Sequence, residues 1–303
     1  MRPEVLSHID TDRAIAPSVS MDLVSLLGDV HSAGAWDDAY KLWQGAVAPA
    51  DFIDAEEIER LLTASLIRWP YFTVLQDGRR ADPAGYTVTR DVIGQSRGGF
   101  ADPARIRRLM RQGATLKLSQ LSDWHRPTRE AVRAIEKVVP AAVATYVFWT
   151  PSERRGMLPH RDAAHVLVLQ LEGRKEWRLY AQPGQIASTA GLDVDARHPS
   201  HTLVLEPGDA LYLPHGWPHD ANAVDGSSLH LTFTLTEPTP DDLVEAVLRR
   251  FEDRHHDLVH RHHARTLRQK SEEVRAALAA VVDGYEADAW LGSALSEIRK
   301  AVG

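Results

Sequence analysis

Between residues 115 and 235 the chain runs through short apolar, β-branched segments punctuated by Gly, Pro and Asp. Few helical patterns interrupt them, and this texture constrains the fold more than any other feature. Residues 115–118 alternate, and 143–149 are rich in β-branched and aromatic side chains. Residues 165–171 form a dense apolar run, broken at Glu172-Gly173 and followed by 176–180. Residues 202–205, 210–213 and 228–235 complete the set. Short strands joined by turns rather than by helices predict an antiparallel barrel or jelly roll, not a parallel sheet.

The flanks read differently, so the fold class is mixed α+β: a β core with an N-terminal helical region and C-terminal helices. Residues 55–66 place Ile58, Leu61, Leu62 and Leu66 on one helical face. Asp102-Pro103 can open a helix that Gly113 stops, and another spans 128–138, before Pro140. Thr239-Pro240-Asp241-Asp242 carries a capping threonine, a first-turn proline and two acids, a strong helix start. Val244, Leu248, Phe251, His255, Leu258 and His262 then recur at heptad-like steps, as on one packing seam. Further helices are expected over 272–282 and 287–301. The division expected is 1–98, a helical and loop region packing on the core; 99–237, the barrel; and 238–303, a helical segment suited to homodimerisation.

Composition removes several chemistries. With no cysteine in 303 residues there is no disulfide, thiolate nucleophile or cysteine-bound metal. A metal here must use His, Asp or Glu, and there are 15 histidines. Lys+Arg 35 against Asp+Glu 42 gives a net charge of −7, so nucleic acid is not an expected partner. No run is long and apolar enough for a membrane span, and the first residues lack a signal-peptide core. A cytoplasmic protein is expected.

Two segments carry the chemistry. The first is Leu158-Pro159-His160-Arg161-Asp162, where residues two apart on an extended chain point to one side. The second is Glu206-Pro207-Gly208-Asp209 running through Pro214-His215-Gly216-Trp217-Pro218-His219. Two histidines and one carboxylate form the facial set that holds non-haem Fe(II) with open positions. A His-x-Asp pair alone is common in surface turns; the two segments together, on one barrel, favour metal. Lys175 lies just past Glu172-Gly173, which reads as a hairpin returning the chain beside the strand after Asp162. Lys175 reads either as a lysine of the charged turn Arg174-Lys175-Glu176 or, with the triad nearby, as a buried ammonium that demands a carboxylate partner.

Residues from about 94 to 235 resemble the Jumonji-C-type cupin oxygenases, in the branch similar to ribosomal oxygenases. The residues that carry the resemblance are His160-Arg161-Asp162, the run Val168-Leu169-Gln170-Leu171-Glu172-Gly173-Arg174-Lys175-Glu176-Trp177-Arg178-Leu179-Tyr180, and Pro207-Gly208-Asp209 through His219. The helix from Asp102 and the strand from Thr115 also fit. The resemblance implies a double-stranded β-helix that uses Fe(II), 2-oxoglutarate and O2. On it His160, Asp162 and His219 bind iron, Lys175 pairs with the far carboxylate of 2-oxoglutarate, and Thr232 and Tyr146 add contacts to that cosubstrate. His230, on the face of Thr232, is a weaker candidate.

Departures are visible. Family members often carry Asn and Tyr where this chain has Tyr146 and Phe148, which reshapes one cosubstrate contact. His215 offers a rival ligand four residues before His219, although the motif register favours His219. The ribosomal members also carry a winged helix, for which the segment after Pro238 is too short. The expected activity is hydroxylation of an amino-acid side chain in a peptide or protein, with succinate and CO2 as co-products. A ribosomal protein and a natural-product precursor peptide both stand as substrates. The alternatives are a hydroxylase of a free amino acid or small molecule, and a metal-binding cupin without oxygenase activity. The histidines at 255, 256, 260, 262 and 263 read as a partly solvated helix rather than a second metal site. Trp149, Met157 and Trp217 are candidates for a substrate cleft, though aromatic residues in a barrel are more often core.

Overall fold

A computed structural model describes residues 19–64, 67–151, 156–181, 189–260 and 266–302. Eight strands position the site: β1 (Lys41–Trp43), β2 (Phe72–Gln76), β3 (Thr115–Ser119), β4 (Ala142–Thr150), β5 (His165–Leu179), β6 (His201–Leu205), β7 (Ala210–Leu213) and β8 (His219–Thr236). They form an antiparallel sheet in the order β1-β7-β5-β8-β4-β3-β2, with Arg79–Arg80 beyond β2 and β6 on the far half of β5. Among the described residues, the helices longer than two turns that flank it are α1 (Val19–Gly28), α2 (Ala55–Ala64), α3 (Pro103–Arg111), α4 (Arg126–Val138), α5 (Pro240–Arg254), α6 (Leu267–Asp283) and α7 (Ala287–Val302). This is the mixed α+β architecture with an antiparallel sheet that the strand texture predicts, of the cupin type that the resemblance implies.

The capping signals act as read. The Asp102 side chain accepts from the Arg105 amide and Pro103 fills the first turn of α3. Thr239 and Asp242 cap α5 reciprocally. Among the described residues no helix is long and apolar enough to cross a membrane.

Three expectations are corrected. The first hundred residues are not only helices and loops: β1 pairs with β7, β2 with β3, and Thr87–Val92 pairs with Gln95–Ala101. The partners of β1 and β2 are distant in sequence, and local periodicity carries no record of them. The hairpin at 87–101 straddles the expected boundary at 98/99. The seam from Val244 is not one helix: α5 ends at Arg254 with His255 as its C-cap, and a short helix, His256–His260, follows. α5 buries Ala246, Val247 and Phe251, while Val244 and Leu248 face solvent. His262 and His263 lie outside the described residues.

The third correction governs the site. Glu172-Gly173 is not a hairpin turn. β5 continues through it as one bent strand and pairs with β8 on both sides, from His165↔Leu235 to Leu179↔His219. The register slips between Gln170 and Glu172 and again between Glu172 and Arg174. Gly173 has φ +63°, and a Cβ there would fall 1.9 Å from the Ser227 carbonyl oxygen. Only glycine fits this bulge. Gly173→Ala is expected to cost about 2 kcal/mol or more, read as a lowered urea midpoint.

The bulge also changes which face the strand shows. In an unbroken strand Val166 and Lys175, an odd number of residues apart, would point to opposite faces. Here Val166, Val168, Trp177 and Leu179 share one core cluster, while Leu167, Leu169 and Leu171 belong to the other. β8 makes the same switch: His219 and Ala221 line the cavity before its bend, and His230, Thr232 and Thr234 line it after. Asp225, with φ +56°, marks that bend.

Candidate metal centre

His160, Asp162 and His219 offer ligand atoms that all lie within 4.8 Å of one another. Two elements bring them together. His219 opens β8, and its backbone exchanges two hydrogen bonds with His160, at 3.0 and 2.8 Å. The intervening Arg161 turns away, is buried, and pairs with Asp193 at 2.8 Å and the Thr189 carbonyl at 2.8 Å. This clamp holds the His-x-Asp segment against the barrel mouth.

Both imidazoles are pre-oriented. His160 Nδ1 lies 2.8 Å from the Leu158 carbonyl, and His219 Nδ1 lies 2.8 Å from the Trp217 carbonyl. Because a carbonyl only accepts, each Nδ1 carries the proton and each Nε2 presents a lone pair. Those Nε2 atoms stand 3.8 and 3.7 Å from Asp162 Oδ2. Burial and the neighbouring His160 bring the His219 pKa down to about 4, so it stays neutral and ready to ligate. The donor set fits a divalent metal of the iron class, with three positions filled and others left open.

A cavity of about 230 Å³ extends from this triad. That is far more than the ~30 Å³ share of one water, so it holds a ligand rather than a trapped solvent molecule. All six residues singled out from the sequence line it: His160, Asp162, His219, Lys175, Thr232 and Tyr146. Lys175 is only 1% exposed, and its Nζ donates to Thr150 Oγ1 at 3.0 Å. No carboxylate pairs with it among the described residues. Burial alone lowers its pKa to about 7. A buried ammonium held by a single hydroxyl is an anion site awaiting its anion.

His215 is not brought to the triad. Its amide donates to His165 Nδ1 at 3.2 Å, and its ring sits edge-on to His165. Met157 lines the cavity, whereas Trp149 and Trp217 pack against the core clusters. Asp209 of the Pro-Gly-Asp turn is structural, accepting from the Gly45 and Glu206 amides at 2.9 Å each.

Three further groups line the cavity: His230, the weaker candidate of the sequence, and Trp177 and Lys117, which sequence reading gave no role in the site. Trp177 and His230 contact each other, and His230 also stacks on Phe148 at 5.0 Å. Burial holds His230 well below the ordinary histidine range, and its Nδ1 has no hydrogen-bond partner among the described residues. The third is Lys117, on β3, whose Nζ sits 4.1 Å from the Tyr146 ring centroid and 5.2 Å from that of Phe148. Burial lowers its pKa to about 8, opposed by the Asp162 charge. Its signal was present in the alternation Thr115-Leu116-Lys117-Leu118, which puts the lysine on the face opposite the two leucines.

A family model for the JmjC domain matches residues 121–243. The chain carries a JmjC domain. Among relatives, Ribosomal oxygenase 1 of Rattus norvegicus is 32% identical over 218 residues, 69% of this chain and 36% of its own length. A protein of Drosophila persimilis named bifunctional lysine-specific demethylase and histidyl-hydroxylase NO66 is 31% identical over 161 residues, 49% of this chain and 23% of its own. The chain thus spans little more than a third, at most, of these relatives. The Escherichia coli ribosomal oxygenase YcfD, solved with cobalt and 2-oxoglutarate, superposes with TM-score 0.54 at 18% identity, covering 85% of this chain and 67% of that one. The shared fold thus reaches well beyond the JmjC domain to both flanks.

Proposed function

We propose that this chain is an Fe(II)- and 2-oxoglutarate-dependent oxygenase that hydroxylates an amino-acid side chain in a peptide or protein. One observation carries the reading: the His160, Asp162 and His219 ligand atoms converge on the cavity that also holds Lys175, buried without a carboxylate partner among the described residues. The relatives' names and the cobalt and 2-oxoglutarate in the E. coli structure support it.

His160, Asp162 and His219 would hold the iron on one face. When bound, iron and cosubstrate together supply the oxidising power, with 2-oxoglutarate leaving as succinate and CO2. Lys175 anchors the far carboxylate, with Thr150 fixing its ammonium. Thr232 and Tyr146 share that wall and give it polar contacts. Trp177 and Phe148 close the cavity against water. A ribosomal protein is the substrate the relatives' names favour, and a natural-product precursor peptide is the other. A cytoplasmic setting accords with both.

Calorimetry of 2-oxoglutarate against Mn(II)-loaded protein tests this directly, followed by a mass search for one added oxygen on candidate peptides. Absence of 2-oxoglutarate binding removes the oxygenase reading and leaves a metal-binding cupin. The homodimer expected through the C-terminal helices would cover Val244 and Leu248, which are solvent-facing on α5. A monomer at all concentrations in sedimentation equilibrium would remove it.

A further inference from the structure

Lys117, Phe148 and His230 form one cross-strand row, through the pairs Lys117↔Phe148 and His230↔Phe148. Tyr146 and Thr232 form the next row on the same face. The ammonium of Lys117 therefore stands over two aromatic rings at the cavity wall. Among the described residues it makes no hydrogen bond or ion pair.

This cation is not needed by the proposed cofactors. Lys175, deeper and fully buried, already supplies the positive end for a cosubstrate carboxylate. Asp162, the one acidic side chain lining the cavity among the described residues, belongs to the triad. Two lysines thus face a single committed carboxylate. Arg80, on the edge strand beside β2, adds a third cation whose charge reaches both Lys117 and Tyr146.

We propose, on the oxygenase reading above, that Lys117 receives a carboxylate of the substrate, so that the residue hydroxylated is an aspartyl or glutamyl side chain. The rings of Tyr146 and Phe148 hold the ammonium in place by cation–π attraction and leave its N–H donors free for the incoming group. A cationic side chain such as arginine or methylated lysine would meet like charge in a desolvated cavity, which is strongly unfavourable. A neutral amide would leave the ammonium unpaired.

The test uses protein loaded with Mn(II) and 2-oxoglutarate under anaerobic conditions. Three short peptides differing only in a central Asp, Asn or Arg are titrated, with calorimetry and intrinsic tryptophan fluorescence as readouts. The Asp peptide is expected to bind about tenfold or more tighter than the other two. Lys117→Met should bring the three within about twofold of each other, and Lys117→Arg should keep the Asp preference. Circular dichroism and a thermal midpoint confirm that both variants fold. Equal binding of the three peptides, or a preference for Arg, overturns the proposal. So does a Lys117→Met variant that keeps the Asp preference while losing 2-oxoglutarate, because Lys117 would then serve the cosubstrate. Failure of wild-type protein to bind 2-oxoglutarate at all removes the oxygenase reading instead. In that case the Asp preference of metal-loaded protein, measured alone, still decides for or against Lys117 as a carboxylate receptor.

Discussion

An Asp162→Ala variant is expected to lose divalent metal by more than about a hundredfold, beyond what removal of an outer-shell partner costs, and to form no succinate. Asp162 supplies the negative charge of the triad, and the other two donors are neutral imidazoles held in one tautomer by the Leu158 and Trp217 carbonyls. Without the carboxylate, two neutral nitrogens hold a hard divalent ion poorly. His160→Ala should behave alike. The half-exposed position of Asp162 means its loss leaves the fold standing, so metal content by mass spectrometry and circular dichroism can be read on the same sample. Retention of stoichiometric metal by Asp162→Ala would show that the ion sits elsewhere.

Lys175→Met is expected to raise the 2-oxoglutarate requirement about ten- to hundredfold, the worth of one charge-assisted contact in a desolvated site. The same change should stabilise the empty protein. Lys175 is fully buried with a pKa near 7, below its unfolded value. The folded state therefore disfavours the ammonium, and its full cost is present below about pH 7. As pH rises from there toward the ordinary lysine value, the folded lysine sheds its proton before the unfolded one and the cost disappears. At pH 7 and below, Lys175→Met should exceed wild type by about 1–4 kcal/mol in urea denaturation, and the gap should close at higher pH. Cosubstrate binding has the opposite dependence. A bound carboxylate holds the proton on Lys175, so above about pH 7 binding takes up a proton and affinity falls by up to about tenfold per pH unit. Calorimetry in two buffers of different ionisation enthalpy counts that proton. If no proton is taken up at pH 8 and Lys175→Met binds 2-oxoglutarate as wild type does, the anion site is not at Lys175.

Much of this centre was legible in the linear chain because its signals are local. His160 and Asp162 are two residues apart, and a Pro/Gly break delivers His219 at the head of its strand. Capping residues such as Asp102 and Thr239 act within one helical turn. These readings need only backbone geometry and side-chain chemistry. Lys175 lines the cavity, but not by way of a hairpin, since Glu172-Gly173 reads as a turn by composition and acts as a bulge in context. What distinguishes the two is the Ser227 carbonyl packed against Gly173, contributed by a strand more than fifty residues away.

The sequence by itself determined the class of fold, the donor set for a metal and the absence of any cysteine chemistry, because alternation, turn residues and ligand type are properties of neighbouring residues. The tertiary structure decided which faces those residues share. Bulges in β5 and β8 switch the parity of both strands, so that Val166 and Lys175, and likewise His219 and His230, meet in one cavity. Long-range pairing carries β3 to β4 and sets Lys117 over Tyr146 and Phe148. A strand's side-chain direction depends on register, and register is settled by partners that the local sequence does not name.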